Sequence, residues 1–442
     1  MIKPQEVIPT LKKYILVDGF PIVLDLERSN GSHIVDARDG TEWLDFYTFF
    51  ASSPLGINHP KLANEEFKER VFRAAVNKVA NADIYTVEMA QFVKTFMEVA
   101  APEGYNHLFL IDYGTLAVEN TLKIAMDWKV RKNIAKGYKE SAEKGTKVIH
   151  FKEAFHGRSG YTLSLTNTAD PRKHMYFTKF RDWPRITNPK IVWPLEEHLE
   201  EVKKAEDQAI NQIKSAIVEN PDDICAIIIE TIQGEGGDNH FRPEFFQQLR
   251  TICDENDIML IFDEVQCGMG ITGKMWAWEH YGVKPDLFAF GKKAQVCGVL
   301  ANDRVDEVKN NCFTESSRIN STWGGNLCDM VRSTRILEII REDNVLEHVN
   351  EAAKILRAQL DALEKEFPTL IRNVRNKGLM AAFDLPNPAL RDSFQQACYE
   401  QNMLILPSGS YSIRFRPILT VSEKDLNSAY EKMRKALMQM NS

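Results

Sequence analysis

Two adjacent lysines, Lys292 and Lys293, follow the apolar run of PDLFAFG. A lysine behind such a run is costly to bury unless its amine is consumed, and condensation with a carbonyl as a Schiff base consumes it. By residue type either lysine qualifies, and two solvated loop lysines look the same. Upstream, IFDEVQCGMG ends an apolar stretch in Asp263, Glu264, Val265 and Gln266. Ligands of open α/β sheets bind beyond the carboxyl ends of strands, so a carboxylate there can reach a bound group. In HLFLIDYGTLAVENTL, Gly114 and Thr115 stand between an apolar run and an amphipathic stretch. Unsatisfied N–H groups at a helix start, with glycine permitting close approach, suit an anion, and they also suit an ordinary helix cap. KVIHF leads into Phe155, His156, Gly157 and Arg158, and ICAIIIE ends at Glu230 with Glu235 just beyond. SIRFRP offers Arg414 and Arg416, planar donors matched to a carboxylate.

Positioning these residues requires a sheet. From about His107 onward the runs HLFLID, KVIHF, ICAIIIE and MLIFDEV alternate with amphipathic stretches. Their lack of polar alternation predicts strands buried on both faces, hence an α/β fold with a mostly parallel central sheet flanked by helices. Between the last two, Pro243 opens a helix that puts Phe245, Phe246, Leu249, Ile252 and Cys253 on one face. After about Asp329 the pattern predicts a smaller α+β unit: a helix from Val345 to Phe367, a strand in GLMAAFDL, another helix, MLILP and SIRFRP, and a last helix from Glu423. Residues 1–60 hold the extended pieces PIVLDLE, SHIVDARDG and TEWLDFY without a complete core, and are expected to pack with the C-terminal unit. The expected domains are therefore residues 1–60, a large domain 61–329 and a small domain 330–442. The polar stretch Lys129 to Lys147 reads as a solvated helix end and loop.

With 442 residues, 44% hydrophobic and 26% charged, the composition is that of a globular protein. A net charge of -7 gives no basic field for a nucleic acid. No apolar stretch suits a signal peptide or a membrane span. Seven scattered cysteines without a C-x-x-C pair indicate neither disulfides nor a metal site, and fit the cytoplasm.

DEVQ, then P-D-x4-G-K, then NSTWGGN, resembles the class III pyridoxal phosphate-dependent aminotransferases over nearly the whole chain. The resemblance implies a fold-type I transferase with pyridoxal 5'-phosphate as cofactor. It selects Lys292, after Gly291, as the Schiff-base lysine and pairs Asp263 with the pyridine nitrogen. It further implies Val265 packed on the ring, Gln266 near the phenolic oxygen, Phe155 stacked on the face, and Gly114 and Thr115 at the phosphate. Thr322 would reach the phosphate of a neighbouring subunit, so a homodimer with shared sites is expected. The family reads S-G-x-E-A around Gly114; Tyr113 and Leu116 depart from it, which bears on side-chain contacts and leaves the backbone role intact.

By resemblance to ornithine, 4-aminobutyrate and lysine aminotransferases, Glu235 covers Arg414 while the amine donor binds, and Arg158 takes the donor's carboxylate. Arg416 competes with Arg414 for that register, and Glu230 joins the substrate-binding set. The run GRSGYTLSLTNTADPRKHMYFTKFRDWPRITNP, GKKAQVCG and NSTWGGN resemble the L-lysine 6-aminotransferases, apart from Arg181 inserted in KFRDWP. The implied reaction takes L-lysine and 2-oxoglutarate to 2-aminoadipate 6-semialdehyde and glutamate by a ping-pong route. The alternatives are another ω-aminotransferase, acting on ornithine or 4-aminobutyrate, and a non-catalytic protein that kept the fold.

Overall fold

Every position of the strands Ile224–Glu230 and Met259–Asp263 is buried, which explains why their isoleucines and leucines run without polar alternation. Each such side chain contributes about 1.5–3 kcal/mol on burial. The computed structural model describes residues 2–441. These strands are central in a seven-stranded sheet ordered His107–Ile111, Cys297–Ala301, Leu287–Phe290, Met259–Asp263, Ile224–Glu230, Lys147–Phe151, Arg185–Ile186. Cys297–Ala301 runs antiparallel to both neighbours, and the other pairings are parallel. His107–Ile111 therefore points the same way as Leu287–Phe290, and both end at one edge. Glu230 is in register with Asp263, and Asp263 with Ala289, so the acids and the chain leading to Lys292 converge there. The helix Gly114–Ala135 starts just past Ile111 and packs across the sheet.

A four-stranded antiparallel sheet is ordered Arg372–Lys377, Met380–Asp384, Ser412–Phe415, Leu406–Ser408. The helices Val345–Glu366 and Pro388–Glu400 pack on it, and Glu423–Asn441 packs against both helices. His33–Val35 and Glu42–Asp45 form a small sheet with Met403–Leu404, so the N-terminal segment pairs with C-terminal sequence.

Lys129 corrects the reading of a solvated stretch. The helix continues to Ala135, and Lys129 is buried, its Nζ donating to the carbonyls of Asn256 (3.3 Å) and Asp257 (2.8 Å) beyond the helix Pro243–Glu255. A cation at that terminus satisfies free carbonyls and the helix dipole together. No helix is long and apolar enough to cross a membrane among the described residues.

Candidate active site

Lys292 opens the turn Lys292–Ala294, one glycine beyond the strand Leu287–Phe290. Its φ of +51° lies in the left-handed region, a conformation costing about 1–3 kcal/mol in a residue with a side chain. The side chain of Gln295 holds the turn, its Nε2 donating to the carbonyls of Lys292 (3.2 Å) and Ser52 (2.7 Å). Burial pushes the Lys292 amine down to about 8, and Arg414 adds to the effect. Such an amine exchanges protons near neutral pH. Lys293 points elsewhere: 2% exposed, it donates to the carbonyls of Gln266 (2.7 Å) and Ala51 (3.2 Å).

Asp263 ends its strand 5% exposed. Its Oδ2 lies 2.8 Å from Nδ1 of His156, and its Oδ1 accepts from the Val265 amide at 3.0 Å. Burial alone would lower the His156 pKa, but the bond to Asp263 and its charge raise it. Glu230 beside it is pushed up by burial to about 7; its oxygens accept from the amides of Phe155 (2.9 Å) and Gly234 (3.2 Å). Both oxygens thus hold the Phe155 turn and the 230s loop, apart from the pair formed by Glu235 and Arg414.

Gly114 heads its helix against Val265; a Cβ there would lie 2.8 Å from Val265 Cγ1. Thr115 Oγ1 is 2.7 Å from the hydroxyls of Ser159 and of Thr162. A cavity of about 390 Å³ joins Gly114 to Lys292, with Ser52, Lys78, Asp112 and Gln295 also in its wall. Tyr113 is exposed, so its departure from the family pattern leaves the helix start open.

Arg414 is 3% exposed, and its Nη2 donates to Glu235 Oε2 at 2.6 Å. Burial pushes the Glu235 carboxyl up, but Arg414 and Lys173 outweigh it and hold it down at about 2. Arg416, the competitor in register, is occupied by Asp238 (2.8 Å) and by Gln266 Oε1 (3.0 Å). Gln266 thereby has a cation behind its carbonyl oxygen. Arg158 and Thr322 are exposed, and neither side chain makes a hydrogen bond or ion pair among the described residues. The structure therefore gathers Lys292, Asp263, Val265, Gln266, Gly114, Phe155, Glu235 and Arg414 around the sheet edge, and leaves those two facing outward.

Sequence reasoning missed the support beneath these residues. Thr48, Phe49, Phe50 and Ala51 form one left-handed turn, φ +45° to +64°. It is fastened by Thr48 Oγ1 to the Arg416 carbonyl (2.7 Å) and by Asp45 Oδ1, which accepts from the Tyr47 and Thr48 amides at 2.8 Å. The turn sets the Phe50 ring centre 5.9 Å from the Arg414 guanidinium. The part of His156 had a signal in the sequence, an imidazole next to Phe155; the turn had none.

The set suits a group with an aldehyde, a ring nitrogen and a phosphate. Lys292 Nζ makes no side-chain hydrogen bond among the described residues, His156 secures the Asp263 carboxylate, and the helix start at Gly114 is clear of side chain.

A family model described as aminotransferase class-III matches residues 14–437. An L-lysine-epsilon aminotransferase of Mycobacterium tuberculosis is 50% identical over 435 residues, covering 98% of this chain and 96% of that protein. One from Amycolatopsis lactamdurans is 46% identical with the same coverage. The solved structure of the lysine aminotransferase from M. tuberculosis in its internal aldimine form superposes with a TM-score of 0.96 at 49% identity, covering 99% of this chain and 100% of that one. A match over nearly the full length, joined to a half-buried lysine and a histidine-backed aspartate at the strand edge, means that the chain belongs to the class-III aminotransferases, which work with pyridoxal 5'-phosphate.

Proposed function

We propose that this enzyme moves the ε-amino group of L-lysine to 2-oxoglutarate, giving 2-aminoadipate 6-semialdehyde and glutamate, as a homodimer in the cytoplasm. The observation that carries the reading is the ion pair of Glu235 with buried Arg414: the arginine able to grip an α-carboxylate is already neutralised. Kinship with the L-lysine-epsilon aminotransferases supports it. The unpaired cysteines support a reducing compartment.

Bound at the strand edge, pyridoxal phosphate would supply an electrophilic aldehyde and an electron-withdrawing ring. Lys292 would hold the aldehyde, and its amine, lowered to about 8, would be the group that takes up and gives back a proton at the substrate carbon. Asp263, held by its hydrogen bond to His156, would pair with the ring nitrogen. Val265 and Phe155 would hold the ring faces, Gln266 the phenolic oxygen, and the amides of Gly114 and Thr115 the phosphate. Thr322, exposed here, serves the phosphate of a second copy.

While Glu235 covers Arg414, a diamino acid cannot anchor its α-carboxylate beside Lys292. Exposed Arg158 takes that carboxylate, and the distal amine arrives at the reacting position. With the acceptor, Glu235 leaves Arg414, which binds the α-carboxylate in a planar two-point contact. Glu230 supports from beneath through the Phe155 amide. Incubation of the loaded enzyme with both substrates tests the reading: one glutamate per semialdehyde, which cyclises to a piperideine carboxylate, is expected. Loss of the α-amine, or equal turnover of ornithine or 4-aminobutyrate, would overturn it.

A further inference from the structure

Glu235 has a second cationic partner that a two-residue switch leaves unused. Lys173, last residue of the short turn Pro171–Lys173, donates to Glu235 Oε1 while Arg414 holds Oε2. The Lys173 and Glu235 side chains are 18% and 19% exposed, against 3% for Arg414. The carboxylate therefore bridges an inner cation and an outer one. On the outer side lies a cavity of about 190 Å³ bordered by Glu235, Lys173, Arg172, Arg391 and Ser408.

The other two cations at this cavity are engaged. Arg172 closes on Asp170 (2.9 Å), and Arg391 donates to the carbonyls of Gly409 (2.7 Å) and Ser410 (3.0 Å) and pairs with Asp392. Lys173 has Glu235 as its carboxylate partner, and its Nζ also sits 5.9 Å from the Phe155 ring centre, which keeps it in place if Glu235 turns. The main chain of Glu235 is fixed: its carbonyl accepts from the Gly409 amide at 3.1 Å, and a Cβ on neighbouring Gly234 would lie 2.1 Å from Gln266 Oε1. Movement is thus confined to the side chain.

A partly buried carboxylate that gives up its only cation is strongly disfavoured, whereas one that passes from two cations to one is not. We propose that Lys173 is a specificity-determining, positioning residue, the holding point for Glu235 when a 2-oxo acid takes Arg414. The proposal rests on the switch described under the proposed function. Lys173 touches no reacting atom; it lowers the cost of uncovering Arg414, and so favours the acceptor-bound state over the donor-bound one.

The test is single-turnover kinetics of each half-reaction with cofactor-loaded wild type, Lys173→Met and Lys173→Arg. For Lys173→Met, the 2-oxoglutarate concentration at half-maximal rate rises about tenfold, as a coupling of ordinary size requires, while the L-lysine half-reaction stays within about twofold. Lys173→Arg restores acceptor binding. Pyruvate, which has an α-carboxylate and no distal one, suffers the same penalty, and Lys173→Met adds nothing in a Glu235→Ala background. An unchanged acceptor step, a penalty shared by both half-reactions, or one confined to 2-oxoglutarate, which would put Lys173 on the distal carboxylate, overturns the proposal. Wild type that fails to pass lysine's ε-amine to 2-oxoglutarate overturns the underlying reading as well.

Discussion

Replacing Lys293 by Met keeps an unbranched chain of similar length and removes one buried amine. That amine is 2% exposed, has no carboxylate partner among the described residues, and donates to the carbonyls of Gln266 and Ala51. Burial, reinforced by Lys292, pushes it from 10.5 down to about 7. Below pH 7 the folded and unfolded chains both hold the proton; between about 7 and 10.5 only the unfolded chain does. The unfolded state then binds more protons, so stability rises with pH. One pKa unit corresponds to about 1.4 kcal/mol, and integrating from pH 7 to pH 9 gives about 2 kcal/mol. The variant lacks this group, and it leaves two buried carbonyls short of a donor at a cost of about 1 kcal/mol each at any pH. Wild type should therefore gain on Lys293→Met by about 2 kcal/mol between pH 7 and pH 9. Urea unfolding of both proteins without cofactor, so that Lys292 keeps its amine, measures the difference. A gap that is constant or narrows as pH rises refutes the reasoning.

Lys292→Ala should abolish the covalent cofactor's absorption near the visible edge, whereas Lys293→Ala should keep it; spectra of the two purified variants decide. Gly114→Ala places a methyl 2.8 Å from Val265 Cγ1, and displacement of that side chain should weaken cofactor binding about tenfold, or about 1.4 kcal/mol, read by titration. Glu235→Ala uncovers Arg414, so lysine's α-amine should enter the products; chromatography of the two keto products checks it. Arg414→Lys should raise the KM for 2-oxoglutarate about tenfold, because an ammonium cannot reproduce the planar contact.

What was legible in the sequence was mostly local. Pro243, with Phe245, Phe246, Leu249, Ile252 and Cys253 on one face, predicts the helix found at Pro243–Glu255, where all five are buried. The expected helix from Val345 to Phe367 spans Val345–Glu366, since its apolar stripe needs only neighbours three and four apart. MLILP reads as one strand, yet Met403–Leu404 pairs with Glu42–Asp45 while Leu406–Ser408 joins Ser412–Phe415. Pairing across hundreds of residues leaves no local trace. The charged helix Leu195–Glu219 lies outside the elements expected from the sequence, and PIVLDLE makes one isolated bridge, Leu24 to Asp36, in place of a strand.

The site divides in the same way. Residue types brought out the pair Lys292 and Lys293, Asp263 and the two arginines because each chemistry demands its side chain, and the family resemblance chose Lys292 and Arg414 among them. Three of the four residues of the turn Thr48–Ala51, Thr48, Phe49 and Phe50, are β-branched or aromatic and disfavour positive φ, so only tertiary fastening explains it. Lys173 meets Glu235 across 62 positions, and Arg416 is told apart from Arg414 by Asp238 and Gln266, partners from the loops of other strands. Spacing cannot reveal such partners.

The central claim is that a covered Arg414 makes this enzyme take lysine's distal nitrogen. Supplying L-lysine labelled with ¹⁵N at either the ε or the α position, with unlabelled 2-oxoglutarate, and measuring the glutamate by mass spectrometry tests it directly. The account predicts labelled glutamate from ε-labelled lysine and unlabelled glutamate from α-labelled lysine. Label arriving from the α position would contradict it.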